Sequence, residues 1–471
     1  MGFTTRTVIL SSCDVVLFMV GCVLLDPTDP YQRVSPRPRP KPRAIATSQP
    51  AHRADEPLSL QKAVEIALEN NPEIAAMRSD ADAASARRDL AFGTALPSFH
   101  VVGGYEHTIL PQRLTPVVNP GEGGVGTRDM FSGDLVLRMP LFMGGSIISR
   151  IKAAELMALA SEHQLARTRD ELVYNVSSVF FNILAQGHVI DSLAFSVETL
   201  ERHAQRIGNL IAEAKAARVD LMRTEVRLAE LSQQWLKEKG VLDIQYRVLA
   251  NLMGVDEPIE QLQLEGQLST DHEAQIPDMG TLLARAWGGR DDYLAARAAL
   301  EAQANNVDAA RGARWPTVSF QGSYGGRWAV NPTTRPADAS TSAEVGQIGV
   351  VMDIPVFDGG RIDAGIREER MELNAAMHRL RKLQLQIQLE VETAVINVNT
   401  AQDRIKATEK AIEQAKESLR IEQEKYDLGK GAIVDVLDAQ SALLESQTSY
   451  YRAMADHRVA QAQLALAIGE Q

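Results

Sequence analysis

The chain has very little cysteine. Its 471 residues contain only two, Cys13 and Cys22, and both lie within the first 22 residues. We therefore expect the rest of the chain to fold without a disulfide and without a cysteine-bound metal. Aromatic residues are also scarce, at 5% against 45% hydrophobic residues in total. An apolar content carried mainly by alanine and leucine suits long packed helices better than a β-sandwich.

Three further absences exclude classes of function. No later stretch holds 18 uncharged apolar residues, so we predict no transmembrane helix, and any membrane crossing would have to be made by strands. The net charge of −12 argues against a nucleic-acid partner, because binding phosphates requires clustered lysine and arginine. The nine histidines show no metal-ligand spacing and no catalytic constellation is present. We therefore predict that the chain is not an enzyme and has no metal and no cofactor.

The N-terminus is typical of a targeting segment. Residues 1–22 combine one early arginine with an interrupted apolar stretch that ends in Gly21-Cys22. This pattern approximates a lipoprotein signal, so we predict lipidation of Cys22, with Cys13 or an unacylated terminus as the alternatives. Residues 23–57 follow as a proline-rich segment whose alternating prolines and basic residues predict an extended spacer.

The chain contains an internal duplication. Pro140 and Pro355 stand in similar apolar-Phe-x-Gly-Gly contexts 215 residues apart, and two later matches have the same offset. An earlier match, Pro97 with Pro316, has an offset of 219 residues. We therefore predict two structural repeats, residues 58–276 and 277–471, each with the order helix, strand, strand, long helix, helix.

Each repeat contains two segments in which apolar and polar residues alternate. The predicted strands are residues 98–108, 131–140, 317–328 and 346–355, and the predicted loops between paired strands are residues 109–129 and 329–344. Alternation over about nine residues fits a strand that crosses a lipid bilayer. A soluble hairpin packed on one face is the alternative.

Long helices are predicted where apolar residues recur at intervals of three, four or seven. The predicted helices are residues 147–213, 219–252, 362–427 and 434–468. Proline and glycine residues stand at the predicted strand–helix junctions, where one backbone geometry changes to the other: Pro97, Pro140, Gly144, Gly145, Pro316, Pro355, Gly359 and Gly360. Four strands cannot close a barrel, whereas twelve from three chains would leave a water-filled interior, so a trimer is favoured.

The chain resembles the TolC-type outer-membrane efflux protein family. The resemblance is carried by three features: Leu58-Ser59-Leu60-Gln61-Lys62-Ala63, the two Pro-apolar-Phe-x-Gly-Gly junctions, and Lys425-Tyr426-Asp427-Leu428-Gly429 followed by Ile433-Val434-Asp435-Val436-Leu437-Asp438-Ala439-Gln440. It implies an α+β membrane protein that trimerises into a 12-stranded β-barrel and a 12-helix periplasmic α-barrel.

The resemblance also implies roles for residues near the two helix–helix turns. Asp435 and Asp438 match acidic rings at the channel constriction, although an aspartate that stabilises a helix N-terminus is the alternative. Tyr426 matches a tyrosine that holds the tip closed. The family's closing arginine falls at Gly431 and is absent, so Lys430 or an ion pair of Asp438 with Arg223 is expected in its place.

The implied adaptor-docking residues are Gly429, Lys215, Arg218 and Asp220. The sequence thus predicts an exit duct in the bacterial outer membrane, extending into the periplasm and recruited by a periplasmic adaptor and an inner-membrane pump. The expected cargo is small toxic compounds. A duct for type I polypeptide secretion and a lipid-anchored periplasmic coiled-coil scaffold are the alternatives.

Overall fold

The computed structural model of the chain describes residues 57–114, 124–256, 264–268, 276–337 and 339–470. Residues 1–56, with the predicted lipidation site Cys22 and its alternative Cys13, lie outside the described residues.

The described elements follow the same order in both halves of the chain. The first half contains β1 (Leu58–Ser59), α1 (Leu60–Asn70), α2 (Pro72–Gly93), β2 (Ser98–Arg113), β3 (Gly126–Met143), α3 (Ser146–Ala212) and α4 (Arg218–Met253). β4 (Leu264–Glu265), which pairs with β1, still lies within residues 58–276. The second half contains α5 (Met279–Gly289), α6 (Asp291–Gly312), β5 (Thr317–Val330), β6 (Ser342–Asp353), α7 (Arg361–Asp427) and α8 (Ile433–Ile468). Helices α3 and α7 have 67 residues each, which corresponds to roughly 100 Å at 1.5 Å per residue.

The strands differ from their predicted bounds. β2 and β3 extend well into the predicted loop 109–129, because their pairing continues past an irregularity between His107 and Gln112 that accommodates Pro111. β6 begins at Ser342 rather than residue 346 and ends at Asp353, so Pro355 lies outside the strand. The predicted long helices agree with the structure to within one residue at each end.

The four long strands form one antiparallel sheet in the order β2-β3-β5-β6. One face carries most of the apolar side chains, with Tyr105 opposite Phe131 and Leu135 opposite Tyr324. The other face is polar and contains an ion pair of Arg327 Nη1 with Asp134 Oδ1 at 2.7 Å. The alternation of the sequence therefore corresponds to two chemically distinct faces.

The first helix of each repeat is interrupted. Asn71 stands between α1 and α2, where its side chain accepts from the backbone N–H of Glu73 (2.8 Å) and Pro72 occupies the first helical position. The second interruption, at Arg290 between α5 and α6, was not predicted, because the sequence pattern indicated one helix at the start of the second repeat. No proline or cap residue marks Arg290.

The two interruptions make equivalent contacts. Asn71 Nδ2 donates to Leu252 O (2.8 Å) near the end of α4, and Arg290 Nη1 donates to Ala467 O (3.3 Å) at the same place in α8. Arg290 is 1% exposed and also pairs with Asp292 and Glu390, at 2.7 Å each. A side chain from each interruption therefore binds a carbonyl that the helix end leaves free.

Candidate functional site

Two short turns join the long helices, one in each repeat. In the first turn Lys215 N donates to Leu210 O (2.8 Å), and in the second Lys430 N donates to Lys425 O (2.9 Å). The residue before each lysine has a left-handed backbone, with φ of 56° at Ala214 and 68° at Gly429. These features define a Schellman C-cap in both turns.

An apolar cluster holds the two turns next to each other. It contains Ile207 from α3 and Ile433, Val436 and Leu437 from α8, with Tyr426 packed against it. Burial raises the pKa of the Tyr426 hydroxyl above its ordinary value, and the nearby Asp220 carboxylate adds to the effect. The structure therefore brings Tyr426, a predicted gate residue, close to Asp220, a predicted docking residue.

Asp435 and Asp438 lie in the first turn and a half of α8 and are both exposed. The Asp435 carboxylate accepts from the backbone N–H of Ala432 at 3.4 Å. This hydrogen bond caps the N-terminus of α8, which is the role given above as the alternative to an acidic ring. Asp438 is one turn further along, beyond reach of the cap.

Arg223 and Asp438 line one groove between α4 and α8, together with Met222, Val226 and Leu437. Among the ion pairs of the described residues, however, Arg223 does not pair with Asp438. The neighbouring Arg227 instead donates to Glu230 (2.8 Å) and to the Ser441 hydroxyl, which joins α4 to α8. Lys430 is exposed on the second turn.

The four predicted docking residues lie in or beside the two turns. Lys215 Nζ pairs with Glu213 at 2.8 Å, Arg218 begins α4, and Asp220 lies in the first turn of that helix. Gly429 also has a structural role, because its positive φ of 68° ends the preceding helix and is a conformation that glycine adopts readily. Exposed apolar side chains are close by at Leu428 and Met222.

The structure adds contacts at this end that the sequence analysis missed. Arg206 Nη2 of α3 pairs with Asp427 Oδ1 of α7 at 3.1 Å, and His203 Nε2 lies 3.1 Å from Gln423 Nε2. Burial lowers the pKa of His203, and the neighbouring Arg206 lowers it further, so the imidazole is neutral near pH 7. The two repeats differ at these positions, since Arg206 corresponds to Ile421. This difference between the repeats is the sequence feature that could have pointed to the contact.

The predicted junction residues have different surroundings. Pro97 and Pro316 immediately precede β2 and β5, whereas Pro140 lies inside β3 beside a register shift and is not itself the junction. The two glycine pairs that precede the long helices are all left-handed, with φ between 61° at Gly144 and 82° at Gly360. They allow the chain to turn from strand into helix.

No described helix contains an apolar stretch long enough to pass through a bilayer.

The family model for outer membrane efflux proteins matches residues 63–255 and 282–470, one block in each repeat. The chain belongs to this family. As a member, this efflux protein is an outer-membrane channel component that extends into the periplasm.

Individual relatives cover most of the efflux protein. Outer membrane protein TolC of Vibrio cholerae is 20% identical over 403 residues, which are 86% of this chain and 89% of the relative. Toluene efflux pump outer membrane protein TtgC of Pseudomonas putida is 21% identical, over 83% of this chain and 78% of the relative. The crystal structure of the Campylobacter jejuni CmeC outer membrane channel superposes with a TM-score of 0.75 at 18% identity, over 87% of this chain and 85% of that one.

Proposed function

We propose that three copies of this chain form the exit duct of a tripartite efflux system. The observation that carries the proposal is the sheet of four strands, in which β2 and β6 each have one edge without a partner strand among the described residues. Unpaired edges are normally avoided, and closing the sheet through further copies removes them. Three copies give the 12-stranded barrel and, from the four long helices of each copy, the 12-helix periplasmic tunnel.

The polar face of the sheet lines the duct in this arrangement, and the apolar face meets lipid. Side chains such as Phe99, Val101 and Ile348 are exposed in the single chain, at 65%, 76% and 83%. Large exposed apolar side chains at alternate positions along the strands suit contact with hydrocarbon. A Cys22 acyl chain would add a second attachment to the outer-membrane lipid.

The turn end of the long helices is the gate. Asp435 and Asp438 would project toward the axis from three copies and attract cations, while Tyr426 and the Arg206–Asp427 pair hold α3 and α7 together. Lys430 and Arg223 are secondary members of the gate, because the structure gives neither of them an ion pair with a gate carboxylate.

The same end is where the periplasmic adaptor docks. Gly429, Lys215, Arg218 and Asp220 lie in or beside the two turns, and Leu428 and Met222 offer apolar contact area. The inner-membrane pump supplies the energy for transport. Small toxic compounds are the proposed cargo, supported by the relative named for toluene efflux, and secreted polypeptides are the alternative.

The deciding experiment is the native mass of full-length protein extracted from outer membranes in mild detergent, corrected for bound detergent. We expect the mass of three protomers and ion-conducting channels after reconstitution into planar bilayers. A monomer, or protein absent from the outer membrane, would contradict the duct and favour a lipid-anchored scaffold.

A further inference from the structure

One histidine lies between the two repeats near the turn end of the long helices. His203 belongs to α3, and its Nε2 atom lies 3.1 Å from Nε2 of Gln423 on α7. An amide nitrogen of glutamine can only donate, so the ring nitrogen of His203 must be the acceptor in this contact. A ring nitrogen accepts only when it carries no proton, and the contact therefore requires a neutral imidazole.

The charges that act on His203 come from the two helices that it joins. Arg202 and Arg206 of α3 lower the pKa of the imidazole, and Asp427 of α7 raises it. Burial of the ring has the largest effect and also lowers the pKa, so the net change is downward. Two cations and one carboxylate thus surround a half-buried group that is neutral near pH 7.

Helices α4 and α8 add apolar side chains to this region. Leu200 and Ile207, about one turn to either side of His203, belong to the apolar cluster that also contains Leu231 of α4 and Val436 of α8. Three carboxylates of α4 and α8 are near the turns but have no effect on the pKa of His203: Asp220, Asp435 and Asp438. Water and counterions therefore reach the imidazole less freely than they reach an exposed histidine.

A proton on Nε2 would change the contact in two ways. It removes the lone pair that accepts from Gln423, so the amide must turn over to present its oxygen. It also places a third positive charge beside Arg202 and Arg206, in a partly buried position that disfavours charge. The only carboxylate that acts on the ring among the described residues is Asp427, which already pairs with Arg206 at 3.1 Å. The protonated ring therefore competes for the ion pair that links α3 to α7.

We propose that His203 is a proton sensor that opens the turn end of the duct when the periplasm becomes acidic. The neutral imidazole holds α3 against α7, and the protonated imidazole favours their separation, which returns its charge to water. This inference rests on the proposed duct and deepens it, because it adds a regulator to the gate. Asp435 and Asp438 select the ions that pass, whereas His203 sets how often the gate is open.

The sensor is present in only one of the two repeats. The offset of 215 residues makes Ser418 the counterpart of His203, and Ile421 the counterpart of Arg206. The second repeat forms its long helix and turn without either residue. The fold of a repeat therefore does not require a histidine at this position, and a trimer contains three sensors.

The direction of the effect follows from proton linkage. In the open state the ring is hydrated and has the ordinary pKa of about 6.5, whereas in the closed state its pKa is lower. The closed state is therefore fully favoured above about pH 6.5 and becomes less favoured as the pH falls below it. No further loss occurs once the pH is below the closed-state pKa. If the three copies open together, the factors contributed by each copy multiply.

Single-channel recordings in planar bilayers test the sensor. We expect the ratio of open to closed time in the wild type to rise at least about threefold between pH 7.5 and pH 5.5. His203→Gln can still bond to Gln423 but cannot take up a proton, so it should remain closed and insensitive to pH. His203→Arg has a permanent charge, and it should be more open than the wild type at pH 7.5 and equally insensitive to pH.

His188→Gln is the matched control. His188 is exposed on the same helix, 15 residues before His203, and stacks on Tyr451 of α8 with ring centroids 4.7 Å apart. It makes no hydrogen bond to α7 among the described residues, so this variant should keep the wild-type response to pH. Native mass and thermal unfolding at pH 7.5 should show that all the variants assemble like the wild type.

The outcomes separate the sensor from the proposed function. A trimeric, conducting wild type with the same open probability at pH 7.5 and pH 5.5 would overturn the sensor and leave the duct intact. A His203→Gln variant that responds to pH as the wild type does would also overturn it, because Asp435 and Asp438 are unchanged in that variant. A wild type that forms no channel would overturn both.

Discussion

At the residue scale, the glycines that end the last helix of each repeat are fixed by contact as well as by conformation. Gly254 has φ of +68°, and a Cβ there would lie 2.5 Å from Asn70 O. Gly469 is its counterpart, with φ of +73° and a Cβ position 2.5 Å from the Gly289 carbonyl carbon. Each glycine therefore holds a helix end against the interruption of the first helix.

Gly254→Ala should destabilise the protein strongly. We expect a loss of about 3 kcal/mol, of which about 1 comes from the left-handed backbone and about 2 from the overlap. Gly429→Ala is the matched control, because it has the same φ in open space and should lose only about 1 kcal/mol. Thermal unfolding in detergent, followed by circular dichroism, measures both. Equal losses would show that the contact with Asn70 is unimportant.

Arg290 is the other residue whose role the fold explains. It is buried, and replacing it with methionine leaves the Asp292 and Glu390 carboxylates without their partner. We expect Arg290→Met to lower the free energy of unfolding by about 3–5 kcal/mol. Arg285→Met is the control, because Arg285 pairs with Glu470 in an exposed position and should lose less than about 1 kcal/mol.

The Arg290–Asp292 ion pair predicts that the stability of the protein depends on pH. Burial disfavours the Asp292 carboxylate, but the hydrogen bonds and charge of Arg290 outweigh it, so the pKa of Asp292 is below its ordinary value. The stabilisation is therefore present above the unfolded-state pKa of about 3.9 and is lost as the pH falls through the lower folded-state pKa. Stability measured from pH 6 to pH 3 should fall more steeply in the wild type than in Arg290→Met. Parallel curves would contradict this assignment.

At the element scale, the long helices were predictable, but of the two interruptions in the shorter first helices of the repeats only one was. A seam of apolar residues at intervals of three, four and seven sets the length of α3 and α7, and the Gly pairs set their starts. The interruption at Asn71 is marked locally by Pro72. The interruption at Arg290 follows Gly288-Gly289, but its stabilising contacts come from carboxylates and a carbonyl of α6, α7 and α8, and the sequence around Arg290 does not show these contacts.

The contact between α3 and α7 at the turn end predicts a gating phenotype. Arg206→Ala removes the ion pair with Asp427 that links the two repeats, so we expect the open state to become more populated. The open probability in single-channel recordings from planar bilayers should rise. An exposed pair of this kind contributes only about 0.2–1 kcal/mol, so the expected effect is a shift of a few-fold in open probability.

Arg404→Ala provides the control. Arg404 pairs with Asp456 at 2.6 Å with similar exposure, but this pair joins α7 to α8 within one repeat. Its removal should leave the open probability unchanged. Identical open probabilities in Arg206→Ala and wild type would exclude the Arg206–Asp427 pair from the gate.

At the scale of the whole molecule, three copies of each gate carboxylate around one axis should make the duct cation-selective. Asp438→Asn should lower the ratio of cation to anion permeability, with little effect on stability because Asp438 is outside the helix cap. Asp435→Asn should lower both the permeability ratio and the stability, since the Asp435 carboxylate also accepts a hydrogen bond from Ala432 N. Reversal potentials in a salt gradient measure the ratio.

Glu445→Gln is a control for that series, because Glu445 is exposed on α8 one heptad further from the turn. We expect a smaller change in selectivity there. If Asp435→Asn alters only stability and Asp438→Asn alters nothing, the two aspartates are a helix cap and a solvated side chain rather than a ring.

The sequence alone determined the duplication, the long helices, the alternating strands and the family, because each follows from spacing along the chain. The tertiary structure decided the strand ends, the Arg290 interruption and the Arg206–Asp427 pair, because these depend on contacts with other elements and not on spacing along one segment. It also separated the two halves of the duplication. Gly312 and Gly93 each end the second helix of their repeat, but a Cβ on Gly312 would lie 2.8 Å from Gly144 O, whereas a Cβ on Gly93 would meet nothing within 4 Å, because the neighbouring chain segment lies against only one of them.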